Sequence, residues 1–462
     1  MWKPGPTIAE ILASHESGSG SPTSTAARVA DAMAAAGADG TWITPVPRER
    51  LLAAAAEIEQ RPGARTLPLY GVPFGVKDSI DVAGWPTTLA CPDFAYVAEE
   101  TAPAVQRLLD AGALFVGKTN LDQFATGLNG TRTPYPIPRS VYGRELICGG
   151  SSSGSARAVA LGQVPFCVAT DTAGSGRVPA ALNGIVGWKP SRGLISTVGL
   201  VPACKSLDCM TVMTSCVADL DRVFAVMYGP DPNDPWSRRR GPMYEGATLR
   251  VGLPGISELE FFGDAEFEDA HMAFRDRLRR IGFRCTPTSL QPFLAAGELL
   301  YAGPWVAERL VEFDEFLAER PDAFLPVIRE ILTGGRRFRA VDVFRAQQRL
   351  QELRARVARL WHDFDVMVVP TIGTTFTVDQ VLADPIATNT KLGHYTHFGN
   401  LLDLTAIAVP IGVTADGRPL SAMVFGPALA DDTVLTAAAR ILDEPRQSPA
   451  HLFNRLAEKE RR

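Results

Sequence analysis

No apolar run in the 462-residue chain approaches the ~20 residues needed to cross a bilayer. Cysteines number seven, an odd count, with no Cys-x-x-Cys pair and no histidine cluster near them. Neither a disulfide framework nor a structural zinc site is expected, which favours a reducing compartment. The opening residues, Met-Trp-Lys-Pro-Gly-Pro, lack the apolar stretch of a secretory signal. Charge of one sign is missing too: 46 Lys and Arg stand against 51 Asp and Glu, a net charge of −5. That balance leaves no electrostatic footprint for nucleic acid or an anionic membrane. A soluble cytoplasmic protein is expected, with neither nucleic acid nor membrane as a partner.

What is present is ordinary for a globular chain, 46% apolar and 21% charged, so a large buried core is within reach. Length alone suggests about three domains at ~150 residues each, although large α/β folds exceed that as single units. Residues 7–36 read as Ala-rich helix interrupted by a flexible Ser-rich stretch at 17–24, and a second helix spans 48–60. Between 67 and 228, short apolar runs alternate with Gly-rich turns and helix-length segments, the rhythm of α/β construction. Residues 114–116, 165–170 and 185–188 are buried-strand candidates there, and 101–111 reads as a helix. A Pro-, Asp- and Arg-rich break at 229–241 precedes a strand candidate at 249–253 and long amphipathic helices to about 361. Strand patterns return at 365–370, 406–413 and 420–425. The simplest organisation is one α/β domain carrying a helical insertion.

Chemistry concentrates in two Gly/Ser clusters, Gly149-Gly150-Ser151-Ser152-Ser153-Gly154-Ser155 and Asp171-Thr172-Ala173-Gly174-Ser175-Gly176. Both are compatible with plain tight turns. A phosphate cradle is weakly supported, because neither cluster has the Gly-Lys-Ser/Thr ending or dinucleotide spacing. Gly150-Ser151-Ser152-Ser153-Gly154 formally satisfies the nucleophile elbow G-x-S-x-G, with His394 or His397 as its base. A third reading uses lysine as the base: Lys77 ends the apolar, turn-rich Gly71-Val72-Pro73-Phe74-Gly75-Val76 upstream of both clusters. Taken alone, Lys77 is compatible with a surface lysine.

The Lys77 segment, the two clusters and the following Pro179-Ala-Ala-Leu-Asn-Gly-Ile-Val-Gly-Trp-Lys-Pro190 resemble the amidase signature family at matching separations. The resemblance implies a single large domain with a central mixed β-sheet covered by helices on both faces. Its parts would be an N-terminal helical segment (1–65), a catalytic core (66–230), a helical insertion with substrate-binding residues (231–363), and return strands with C-terminal helices (364–462). It also implies a Ser–cis-Ser–Lys triad: Ser175 as nucleophile, Ser151 as proton relay and Lys77 as general base. The N–H groups of Thr172, Ala173, Gly174 and Ser175 would form the oxyanion hole, with glycine at 174 letting the backbone approach the substrate. A lysine serves as base only when neutral, so its pKa must fall from ~10.4 towards ~7–8, roughly 4 kcal/mol. Burial in a dry pocket has that effect. No cofactor or metal is implied.

Further strings resemble the allophanate hydrolase branch of that family. They include Thr119-Asn-Leu-Asp-Gln-Phe-Ala-Thr-Gly127, Val201-Pro-Ala-Cys-Lys-Ser-Leu-Asp-Cys209 and Tyr301-Ala-Gly-Pro-Trp-Val-Ala-Glu-Arg309. The resemblance implies that Tyr301, Arg309 and Gly127 bind the substrate, a small anionic amide whose carboxylate a guanidinium can grip through paired hydrogen bonds. Arg309 is otherwise compatible with a surface ion pair to Glu308, Glu312 or Asp314. The implied reaction hydrolyses allophanate to ammonia and a carboxylated carbamate that decays to ammonia and carbon dioxide, in a homodimer. The branch typically continues into a further C-terminal domain, whereas this sequence stops at Arg462 after a charged helix. Cys148 also stands where relatives more often carry proline. Two alternatives stay open: an amidase for another carboxylate-bearing amide, biuret- or malonamate-like, and an amidotransferase-type subunit.

Overall fold

Runs of β-branched and other apolar residues such as Val366-Met-Val-Val-Pro370 and Thr405-Ala-Ile-Ala-Val409 are buried on both faces, which places them in the interior of a covered sheet. The computed structural model describes residues 5–446 apart from 245 and 247. Its strands are β1 (Trp42–Pro45), β2 (Pro73–Lys77), β3 (Pro86–Thr87), β4 (Tyr96–Val97), β5 (Leu114–Thr119), β6 (Phe166–Asp171) and β7 (Val186–Lys189). They continue with β8 (Cys209–Thr214), β9 (Arg250–Pro254), β10 (Arg284–Thr288), β11 (Val366–Pro370), β12 (Thr405–Val413) and β13 (Pro419–Gly426). Eleven form one mixed sheet in the order β1-β5-β2-β6-β8-β7-β12-β13-β11-β9-β10, flanked by helices, while β3 and β4 pair separately. Two parallel blocks, β5-β2-β6 and β11-β9-β10, are embedded in otherwise antiparallel pairing.

That topology fixes where chemistry can occur. Strands β2, β5 and β6 run in parallel, so their carboxyl ends, Lys77, Thr119 and Asp171, emerge at one edge. Open α/β sheets place their ligand crevices at such edges. Helix Ser153–Ala160 packs across β2, β5, β6 and β8 just after the first Ser-rich cluster, and helix Arg177–Leu182 follows the second.

Two expectations are corrected. The stretch at 17–24 is a capped turn: Gly18 takes φ 73° to end helix Ile8–Ser17, and Ser21 caps helix Pro22–Ala36. Within 231–363 the strand expected at 249–253 forms as β9, but β10, inside the stretch expected to be helical, pairs with it and extends the central sheet through β11. The charged C-terminal stretch, expected as a helix, lies beyond the described residues after 446. All seven cysteines are free thiols, and among the described residues no helix is long and apolar enough to cross a membrane.

Candidate active site

Lys77 ends β2 with no solvent exposure, and its Nζ lies 2.7 Å from Ser151 Oγ and 2.7 Å from Thr170 Oγ1. Burial is the largest influence on the amine and disfavours its charged form. The carboxylates of Asp122, Asp171 and Asp208 oppose burial, Arg309 reinforces it, and the pKa is drawn down to about 7. The amine is therefore poised between acid and base at neutral pH, with a serine hydroxyl within proton-transfer distance.

Ser151 follows a cis peptide bond from Gly150. Asp122 N donates to Ser151 O at 3.0 Å, and Gly150 N to Leu128 O at 2.8 Å. A Cβ at Gly150 would stand 2.1 Å from Asp122 Oδ2, so only glycine lets the two loops meet. The buried Asp122 carboxylate also accepts Gly130 N at 3.1 Å and Arg132 N at 2.9 Å. Cys148 fits the same wall, its Sγ donating to Ser153 O while Asn183 donates to its carbonyl at 2.8 Å. Burial pushes that thiol up to about 12, so it stays protonated.

Ser175 sits in the turn after β6, 3% exposed, in a frame built by Asp171. Asp171 Oδ1 accepts Gly174 N at 2.8 Å and Oδ2 accepts Gly176 N at 3.0 Å, gripping the residues on either side of Ser175. Arg177 completes the frame with a fork onto Asp171, Nε at 2.8 Å and Nη2 at 2.9 Å, both side chains fully buried. Burial alone would raise the Asp171 pKa, but Arg177 and the backbone donors overcome it and hold the group at about 2. Replacing Asp171 with asparagine leaves a buried guanidinium uncompensated. The variant is expected to lose about 3–5 kcal/mol of stability in denaturant unfolding. Retention of full stability would contradict this frame.

The frame also alters the expected oxyanion hole. The Gly174 N–H is engaged by Asp171, whereas no acceptor among the described residues lies against the N–H groups of Thr172, Ala173 or Ser175. Three donors remain open, not four. The glycine at 174 is required by Thr396, whose Oγ1 would stand 2.3 Å from a Cβ there and donates to Ala173 O at 2.7 Å. Thr172 Oγ1 donates to buried Asp208, whose carboxyl burial pushes up to about 6. Lys77 and Ser151 are in contact, whereas Ser175 Oγ makes no hydrogen bond with any described residue.

The Tyr301 and Arg309 strings converge on the same edge. Tyr301 ends helix Gln291–Tyr301, and Arg309 joins the short helix Trp305–Glu308 to Leu310–Glu319. Arg309 is 3% exposed and donates from Nη1 to Thr126 Oγ1 at 2.9 Å and from Nη2 to Tyr301 Oη at 3.5 Å. It makes no ion pair among the described residues: Glu308 accepts from Ser206 N at 2.7 Å, and Asp314 pairs with Arg336 at 2.7 Å. Packing fixes this junction, since Phe124 lies on Phe313 at 4.7 Å and on Phe324 at 4.6 Å, tying the 122–127 loop to the Arg309 helices. Phe124 and Ala125 hold φ of 52° and 50°, a left-handed conformation uncommon outside glycine, directly before Thr126. At Gly127 no acceptor among the described residues meets the N–H, and a Cβ would stand 2.6 Å from Asp122 Oδ2.

The elbow reading fails on geometry. Ser152 Oγ donates to Thr170 O at 3.2 Å, while His394 stacks edge-on against Tyr395 and His397 packs on Tyr301 at 5.0 Å. Neither histidine's Nε2 has a hydrogen-bond partner among the described residues.

Both the sequence and the fold have known counterparts. The family model described as Amidase matches residues 25–435. The chain belongs to the amidase family. Within that family it is 41% identical over 416 residues to a urea amidolyase of Saccharomyces cerevisiae, covering 89% of this chain and 23% of that protein. The chain thus spans under a quarter of that relative's length. One component of the glutamyl-tRNA(Gln) amidotransferase of Symbiobacterium thermophilum is 32% identical, with 80% of this chain and 82% of that protein covered. Among solved structures, the Kluyveromyces lactis allophanate hydrolase superposes with a TM-score of 0.90 at 37% identity, covering 95% of this chain and 73% of that one.

Sequence reasoning missed the buried polar scaffold of the site: Asp122, Arg132, Thr170, Asp171, Arg177, Asp208 and Asn400. Asn400 Nδ2 donates to Asp171 O at 2.8 Å and its Oδ1 accepts Arg177 Nη2 at 2.9 Å, from 229 and 223 residues away. The available signal was position: Asp171 closes an apolar strand pattern, where an unpaired carboxylate is costly.

Proposed function

We propose that this chain hydrolyses a small amide bearing a carboxylate, with allophanate the substrate that fits best. One observation carries the reading: a buried lysine held near pKa 7 beside Ser151, at the sheet edge to which the buried Arg309 also projects. In this mechanism neutral Lys77 draws the proton from Ser151, Ser151 draws it from Ser175, and Ser175 Oγ attacks the amide carbon. The tetrahedral oxyanion is met by the N–H groups of Thr172, Ala173 and Ser175. The Lys77 proton returns through Ser151 to the leaving nitrogen, which departs as ammonia. Water, activated by the same pair, releases the acyl group from Ser175 as a carboxylated carbamate.

Arg309 and Tyr301 hold the carboxylate in this reading. Arg309→Lys keeps the charge but loses the planar fork, and is expected to raise KM for allophanate by roughly tenfold or more. Steady-state ammonia release measures it; an unchanged KM contradicts the clamp. The likeness to the amidotransferase component over most of both chains favours a second reading, in which the chain acts only within a complex. Ammonia release from allophanate by the purified chain alone decides between them.

A further inference from the structure

Two buried guanidiniums flank Thr126. Arg309 Nη1 donates to Thr126 Oγ1 at 2.9 Å, and Arg132 Nη1 donates to Thr126 O at 2.9 Å. Arg132 Nη2 donates to Pro385 O at 2.7 Å. The Arg132 Nε–H is buried without an acceptor, and neither guanidinium is ion-paired among the described residues. Asp122 is the nearby acid and its charge favours the Arg132 cation, but its oxygens accept the main-chain N–H groups of Gly130 and Arg132 and none of the guanidinium N–H groups. Buried charges are ordinarily matched by an opposite charge. Here two cations share one loop, each 3% exposed, with carbonyl and hydroxyl contacts only. Arg132 and Tyr301 also line one cavity of about 230 Å³, to which the exposed Glu330 and Arg337 contribute one charge of each sign.

We propose that Arg132 is a second binding residue for the substrate's anionic end, sharing the carboxylate with Arg309 across Thr126 and Gly127. The proposal rests on the anionic-amide reading. A carboxylate presents about four lone-pair positions, more than one fork and one phenol occupy, so a second guanidinium has acceptors left to meet. The packing supports it: a Cβ at Gly127 would stand 3.0 Å from Arg132 Cδ, so glycine there lets the Arg132 stem lie against the loop whose open N–H faces no internal acceptor. Selectivity follows. An anionic amide offers a charged acceptor to the open Arg132 Nε–H as well as to the Arg309 fork, whereas a neutral amide offers neither of them one.

The test uses malonate as a non-hydrolysable dicarboxylate probe in calorimetry, and malonamate against propionamide as charged and neutral amides in turnover. Arg132→Lys keeps a positive charge but loses the fork; Arg132→Gln also removes the charge. Malonate affinity is expected to fall by about tenfold in Arg132→Gln and by less in Arg132→Lys. The ratio of kcat/KM for malonamate over propionamide is expected to fall with it, mainly through KM for malonamate. A purely structural Arg132 lowers both amides' kcat together and leaves that ratio unchanged, which overturns the proposal; so does unaltered malonate affinity in Arg132→Lys. If wild-type protein neither binds malonate nor prefers malonamate, the anionic-amide reading itself fails, and with it this proposal.

Discussion

Ser175→Ala is expected to reduce kcat on the order of 10⁴-fold or more while leaving the fold intact. The magnitude follows from removing the attacking atom in a unit whose members act together, so that the donors and binding groups left behind recover little of the rate. The intact fold follows from the structure: Ser175 Oγ has no hydrogen bond among the described residues, and the turn is held by Asp171 through Gly174 and Gly176 instead. Thermal unfolding of the variant should match wild type closely. A variant that keeps even a tenth of wild-type kcat contradicts the assignment of the nucleophile.

The second large effect belongs to Lys77. Lys77→Met is expected to lower kcat by a comparable factor, and the pH dependence carries the sharper information. Wild-type kcat/KM should rise about tenfold per pH unit below about 7 and level off above it, because the neutral amine is the competent base. Stability is linked to the same group. The folded-state pKa lies below the 10.5 of a free lysine, so between about 7 and 10.5 the unfolded chain binds a proton the folded chain does not. Lys77 therefore makes wild-type stability rise with pH across that window, by on the order of 5 kcal/mol in total, and most of its cost is present below pH 7. In Lys77→Met this contribution to the pH slope should vanish. Parallel denaturation curves for the two proteins at pH 7 and pH 9.5 measure the difference; identical slopes contradict a depressed Lys77.

The parts of the fold legible in sequence are those with a single dominant signal. Continuous apolar runs such as β11 and β12 read directly as buried strands, and helix Arg48–Gln60 shows its period and its stop before Pro62. Strand β8 carries no clean strand signal, because Cys209-Met-Thr-Val-Met-Thr places its polar residues every third position, neither alternating nor continuously apolar, although every residue is buried. Edge strand β10, with Arg284 and Pro287 exposed, carries almost no strand pattern. The triad positions came from spacing within a resemblance; composition alone left plain turns as a sufficient account. The polar scaffold was invisible for a different reason. Asp171, Arg177 and Asn400 are each ordinary surface residues by type; Asp171 and Arg177 are only six residues apart, but Asn400 joins them from more than 200 residues away, and it is the fold that buries all three together. Arg132 belongs to the same class: nothing in Asn129-Gly-Thr-Arg132 announces a buried guanidinium.

The charge state of Lys77 is the claim on which the chemistry rests, and the chain's seven lysines make it directly measurable. Carbon-13 labelling of lysine Cε, followed by NMR titration of wild type and Lys77→Met, identifies the Lys77 resonance as the one that disappears. The account predicts that this resonance titrates near pH 7. A Lys77 resonance that titrates at the ordinary lysine value of about 10.4 would contradict it.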